Sequence, residues 1–264
     1  MKMKALQAVG AGLSLLLALS SVAFSQKWTA VKQKLKVPLG ATLLLTDGTV
    51  LLHEEQDGHP EKWYKLTPDQ NGSYVNGTIK PIASTPSGYG PWFFASVVLP
   101  DGRVVIEGGE YNNANGNPVW TNLGAIYDPL TNKWKSVTPP AGWSTIGDAQ
   151  AAILADGTYT QANCCTTQQA YFNPKTLRWT NLINTGKLDR FDEEGWTVLP
   201  NGKILTTDDN SAHHAEIFDP KTKKWTSGGD TIVVLADPQH GEIGPQVLRP
   251  DGTVFATGAA DNAT

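Results

Sequence analysis

The chain has 264 residues with a net charge of −4, 40% hydrophobic and 17% charged residues, 26 Gly and 17 Pro. That Gly and Pro content exceeds ordinary usage of about 12% and argues against a helical bundle or coiled coil, because both residues damage helix interiors. Nine Trp, seven Tyr and seven Phe supply enough apolar surface for a folded core, and the negative balance offers nucleic acid no electrostatic footprint.

Residues 1–25 are expected to be a secretory signal peptide. Lys2 and Lys4 precede an apolar run from Ala5 to Ala18, and Ala23 and Ser25 are small residues where a cleavage site needs them. The apolar run is short for a bilayer span, so no membrane span is expected after cleavage. The folded domain would then occupy 26–264 in a secreted or periplasmic setting.

Beyond the leader, short apolar runs are interrupted by one recurring turn: Asp47-Gly48, Asp101-Gly102, Asp156-Gly157, Asn201-Gly202 and Asp251-Gly252. Each predicts a hairpin, with positive φ supplied by the turn residues. The turn glycines advance by 54, 55, 45 and 50 residues, which leaves room in each unit for a second hairpin. Tyr127…Trp134, Phe172…Trp179 and Phe218…Trp225 mark it, each pair seven apart around an Asp-Pro or Asn-Pro turn. Four-stranded repeats are expected at 41–85, 92–138, 147–182 and 194–227, with a partial fifth at 241–264. Units of about 50 residues built from stacked hairpins predict an all-β fold, a β-propeller. Trp28–Val31 is expected to form an isolated outer strand. Asn71, Asn76 and Asn262 open short glycosylation patterns.

The turns, the Trp spacing and Gly108-Gly109 resemble the kelch repeat, most fully over 92–138. Asn163-Cys-Cys-Thr166 and Asp192-Glu-Glu-Gly-Trp196 resemble segments of secreted kelch proteins grouped with galactose oxidase. The resemblance implies a kelch-type propeller of about four complete blades and a partial fifth, an open arc from a ring continued beyond Thr264. It also implies an alternative activity, a copper-radical oxidase. Cys164 or Cys165, Tyr111 and His213 or His214 are residues of the types such a copper site uses.

In a four-stranded repeat the Gly-marked and Pro-marked turns share one rim, and the longer connections share the other, where binding residues usually sit. Asp148 and Glu193 lie nine residues before their turn glycines, and Glu242 ten before Gly252. All three are therefore expected where inner strands begin, beside the axis. Glu54, Glu55, Glu110, Asp208 and Asp209 follow the second strands, and Tyr111, Asp192, Glu194, His213 and His214 join the same rim. The expectation is an extracellular binding or scaffold module whose acidic rim holds a glycan, a cation such as calcium, or a protein. The plainer alternative is that these acids are solvated or bond nearby backbone N–H groups. Asp148 with Glu193 is also a candidate pair for carbohydrate cleavage. Cys164-Cys165, the chain's two cysteines, could form a vicinal disulfide in an oxidising compartment, pair with cysteines elsewhere, or remain thiols.

Overall fold

The computed structural model describes residues 27–55, 59–113, 117–210, 213–237, 239 and 241–259. Residues 1–25, where a signal peptide is expected, and Asn262–Thr264 lie outside the described residues. The chain divides into two units, 1–30 and 31–264. In the first, described residues 27–30 contain no strand, so the outer strand expected at Trp28–Val31 is not formed. Val31 instead packs with Leu35 on the first sheet of the second unit. There Gln33 brackets Ile79, accepting from its N–H at 2.8 Å and donating to its carbonyl at 2.9 Å.

The second unit is all-β. Strands β1 (Leu39–Leu44), β2 (Val50–Glu54), β3 (Trp63–Thr67) and β4 (Thr78–Pro81) form the first antiparallel sheet. β5 (Pro91–Trp92) and β8 (Tyr111–Asn112) pair as a separate two-stranded ribbon. The second sheet takes β6 (Ala95–Val98), β7 (Val104–Glu107), β9 (Gly124–Asp128) and β10 (Lys133–Val137). The third consists of β11 (Ala151–Ile153), β12 (Tyr159–Ala162), β13 (Gln169–Asn173) and β14 (Arg178–Asn181). The fourth consists of β15 (Trp196–Val198), β16 (Ile204–Thr207), β17 (His214–Asp219) and β18 (Lys224–Asp230), and β19 (Gln246–Leu248) pairs with β20 (Val254–Ala256). First strands meet in succession, β1 with β6, β6 with β11, β11 with β15 and β15 with β19. That is the arrangement of propeller blades along an open arc.

The five turns are built alike, though not as two-residue hairpins with two positive φ angles. Gly48 N–H bonds Leu45 O and Leu45 N–H bonds Thr49 O, a type I turn closed by a bulge. Only the glycine takes positive φ, 79° to 86° across the five. The Asp or Asn keeps ordinary φ and its side chain accepts the N–H two residues on, at 2.9 Å for Thr49 and 3.0 Å for Lys203.

Register explains the seven-residue spacing. Tyr127, Phe172 and Phe218 lie directly opposite Trp134, Trp179 and Trp225, with ring centroids 5.0, 4.8 and 5.2 Å apart. Each indole N–H also reaches the preceding repeat or its linker: Ala83 O, Thr138 O and Gln169 Oε1 at 2.7–2.9 Å. The aromatic pairs thus close one sheet and fasten it to the previous one. Apolar clusters fill the spaces between sheets, such as Leu99, Val105, Tyr159 and Phe172 between the second and third. Each such buried side chain contributes roughly 1.5–3 kcal/mol.

Candidate functional site

A cavity of about 310 Å³ opens where the first strands begin, lined by Phe93, Phe94, Glu110, Asp148, Glu193 and Glu242. Asp148 and Glu193 stand three residues ahead of β11 and β15, and Glu242 four ahead of β19. The repeat therefore presents one carboxylate from each of three neighbouring blades. The β5–β8 ribbon supplies the rest: Phe93 follows β5 and Glu110 precedes β8. Glu110 N–H bonds the carbonyls of Trp92 (3.1 Å) and Phe93 (3.4 Å), while Tyr111 stacks on Trp92 at 5.1 Å. Phe93 is held at φ 47° with its ring about half exposed, a backbone region that bulky residues rarely occupy.

Burial is the main force on these acids, and their mutual repulsion adds to it. Burial, with hydrogen bonding and repulsion from Glu242 and Asp148, raises the Glu193 carboxyl to about 9. Asp148 is raised by burial, offset in part by a hydrogen bond from Cys164. Glu110 is raised by burial and by Asp148 and Glu242, and Glu110 in turn raises the Tyr111 hydroxyl. At neutral pH Glu193 thus carries a proton and can act as a hydrogen-bond donor in the cavity. Asp148 Oδ1 is buried without a conventional donor.

Several other expected rim residues do not reach this cavity. Glu194 and Asp208 turn into a closed box around Lys187, whose side chain is fully buried. Its Nζ lies 3.1 Å from Glu194, 3.3 Å from Asp208 and 2.5 Å from Glu216, and it also pairs with Asp189. Burial alone would lower the Lys187 ammonium, but these acids outweigh it and hold it well above the usual lysine range. One lysine cannot neutralise four carboxylates, so burial still raises Glu194 to about 8. His214 Nδ1 pairs with Asp208, and exposed His213 contacts Thr231 O at 3.2 Å. Asp209 accepts the Glu193 N–H at 2.9 Å, and burial raises its carboxyl to about 6. Glu54 accepts from His59 N–H and the Tyr64 hydroxyl. For these residues backbone and side-chain pairing replaces an open rim.

Beside the cavity the Cys164 and Cys165 sulfurs lie 2.7 Å apart, with Asp192 Oδ1 3.5 and 3.6 Å from them. Of the residue types named for a copper-radical centre, Tyr111 lies against Glu110 and Trp92, the cysteines against Asp192, and the histidines against Asp208 and Thr231. Asp148 and Glu193 line the same cavity and each shifts the other's carboxyl; glycoside hydrolysis uses two carboxyls about 5–9 Å apart. Phe93 and Phe94 were not anticipated, yet Phe93 also stands nine residues before its turn glycine, Gly102. A count that sought acids alone passed over it.

Among the described residues no helix is long and apolar enough to cross a membrane. No family model and no curated protein matches the chain. Among solved structures the chain is similar to one described as the structure of YjhT, with TM-score 0.58 and 15% identity over 76% of this chain and 69% of that one. A looser likeness, TM-score 0.44 at 15% identity, joins 84% of this chain to 59% of a copper-bound fungal alcohol oxidase of the AA5 family. The first likeness supports the fold, a β-propeller arrangement of blades, and says nothing of a reaction.

Proposed function

We propose that this chain is an extracellular binding module whose mouth takes a polyhydroxyl ligand, a glycan or amino sugar, between the Phe93 ring and the carboxylates. What carries the reading is that acids from four successive repeats and two phenylalanines line one cavity of about 310 Å³. An aromatic face packs the C–H face of a sugar, and carboxylates accept its hydroxyl or ammonium protons. The cavity acids are absent from the groups of three whose ligand atoms lie within 4.8 Å of one another. That spacing favours an organic ligand over bare calcium, which needs six to eight converging oxygens. Calorimetric titration with neutral oligosaccharides, amino-sugar oligosaccharides and calcium chloride tests it. Heat from a saccharide that is lost in Phe93→Ala and Glu110→Gln is the expected result. Silence from both saccharide classes overturns it, and heat from calcium alone replaces the ligand.

A copper-radical oxidase is the second reading, favoured only by the propeller architecture. It would draw its remaining ligands from outside the described residues. Hydrogen peroxide formed from an alcohol by the copper-loaded chain would establish it in place of simple binding.

A further inference from the structure

We infer that Cys164 and Cys165 are a redox-modification site, a vicinal dithiol that a disulfide oxidant converts to a disulfide, withdrawing two S–H donors from the acids beside the mouth. The pair is held from both sides. Cys164 N–H bonds Ile146 O at 2.9 Å and Cys165 N–H bonds Phe191 O at 2.6 Å. Cys165 sits at φ 60°, and a Cβ on Gly147 would come within 2.8 Å of Cys164 Cβ. These constraints place both sulfurs on one side, 2.7 Å apart, without a cis peptide in the described residues.

Exposure sets the order of events. Cys164 is 2% exposed whereas Cys165 is half-buried, so Cys165 reacts first. Its thiolate, after losing a proton to solvent, attacks one sulfur of a small disulfide or disulfide-bonded oxidoreductase and expels the first thiol. Cys164 then passes its proton to Asp148 or Asp192, which lie beside it, and attacks Cys165 Sγ, expelling the second thiol. Two electrons pass from the pair to the incoming disulfide, and two protons appear on the released thiols. Burial pushes both thiols up, Cys165 to about 11. A sulfur that ionises so reluctantly is a poor leaving group, which slows reopening of the closed ring. Once the S–H groups are gone, Asp148 loses the Cys164 donor that lowers it and titrates higher.

The redox step does not depend on the saccharide reading, because its test contains no saccharide. The full chain is treated with glutathione disulfide, alkylated without reductant, and weighed whole and as the peptide carrying both cysteines. The expected product is lighter than the reduced chain by two hydrogen atoms and bears no alkyl group. Cys164→Ser should instead retain glutathione on Cys165, since the resolving thiol is missing, while Cys165→Ser should stay unmodified. Carbonyl-carbon NMR should show Asp148 titrating higher in the oxidised chain. Two alkylated thiols after oxidant, or glutathione persisting on the wild-type chain, would overturn the inference, as would an unmoved Asp148 titration.

Discussion

Replacing Lys187 by Met removes the ammonium that pairs with Asp189, Glu194, Asp208 and Glu216. The Lys187, Glu194 and Asp208 side chains are fully buried and Glu216 nearly so, so solvent cannot screen the charges left behind. Removing one partner of a buried ion pair costs about 3–5 kcal/mol. In a chain of this size that lowers the thermal midpoint by roughly 10 °C. The penalty should depend on pH with a definite sign. The Lys187 contribution is present at every pH below the ordinary lysine value, because its folded value lies higher still. The abandoned carboxyls, by contrast, can relieve themselves by binding protons, and Glu194 is already raised to about 8 with the lysine present. Thermal melts by circular dichroism at pH 5, 7 and 9 should therefore show a deficit that is smallest at pH 5 and grows with pH. Adding Glu194→Gln to the variant should recover part of the loss at pH 9. A midpoint within 2 °C of wild type at pH 7, or a deficit equal at pH 5 and 9, would refute the buried-box description, since a shift that small is about 1 kcal/mol or less.

Phe93→Gly should leave the thermal midpoint unchanged or slightly raised, by about 1 kcal/mol in stability, because glycine accepts φ 47° without strain; the same variant should lose saccharide heat in calorimetry. Gly108→Ala should cost about 2–4 kcal/mol in a denaturant melt, since its Cβ would lie 2.3 Å from Gly147 O at a φ of 73°. Trp225→Ala should cost about 3–5 kcal/mol by the same assay, losing both its packing on Phe218 and its bond to Gln169. Wild-type stability should peak at about pH 4.5, because between there and about 6.5 the two protons held by Glu193 and Glu194 outweigh the one that His53 lacks. Above that, Glu193 and Glu194 hold protons in the folded state that the unfolded chain has released, and this contribution is lost as pH rises through about 8 and 9. Burial also keeps His53 neutral, lowered to about 4, so its contribution is lost as pH falls towards 4. Melts across pH 4–10 check the profile.

The blades were readable because their signals are local. An aromatic and a Trp seven residues apart can only face each other if a tight turn lies between them, and register pairs Tyr127 with Trp134. Counting back from turn glycines likewise located Asp148, Glu193 and Glu242 at one cavity. What the sequence concealed depends on burial and on long-range charge. Nothing in the sequence around Lys187 tells that Glu216, 29 residues on, folds against it. Glu193 and Glu194 are adjacent acids with opposite fates, one lining the cavity and one buried with Thr206 and Lys187. The β5–β8 ribbon is two residues on each strand, too short for alternation to register, yet it positions Phe93 and Glu110.

The convergence of acids from successive repeats is most directly measured at Glu193, by following its carboxyl carbon through a pH titration of the ligand-free chain. A midpoint near 9, falling when Glu242 is replaced by Gln, is the predicted result. A midpoint near the ordinary glutamate value of about 4.3, indifferent to Glu242, would mean that these carboxylates do not share one mouth.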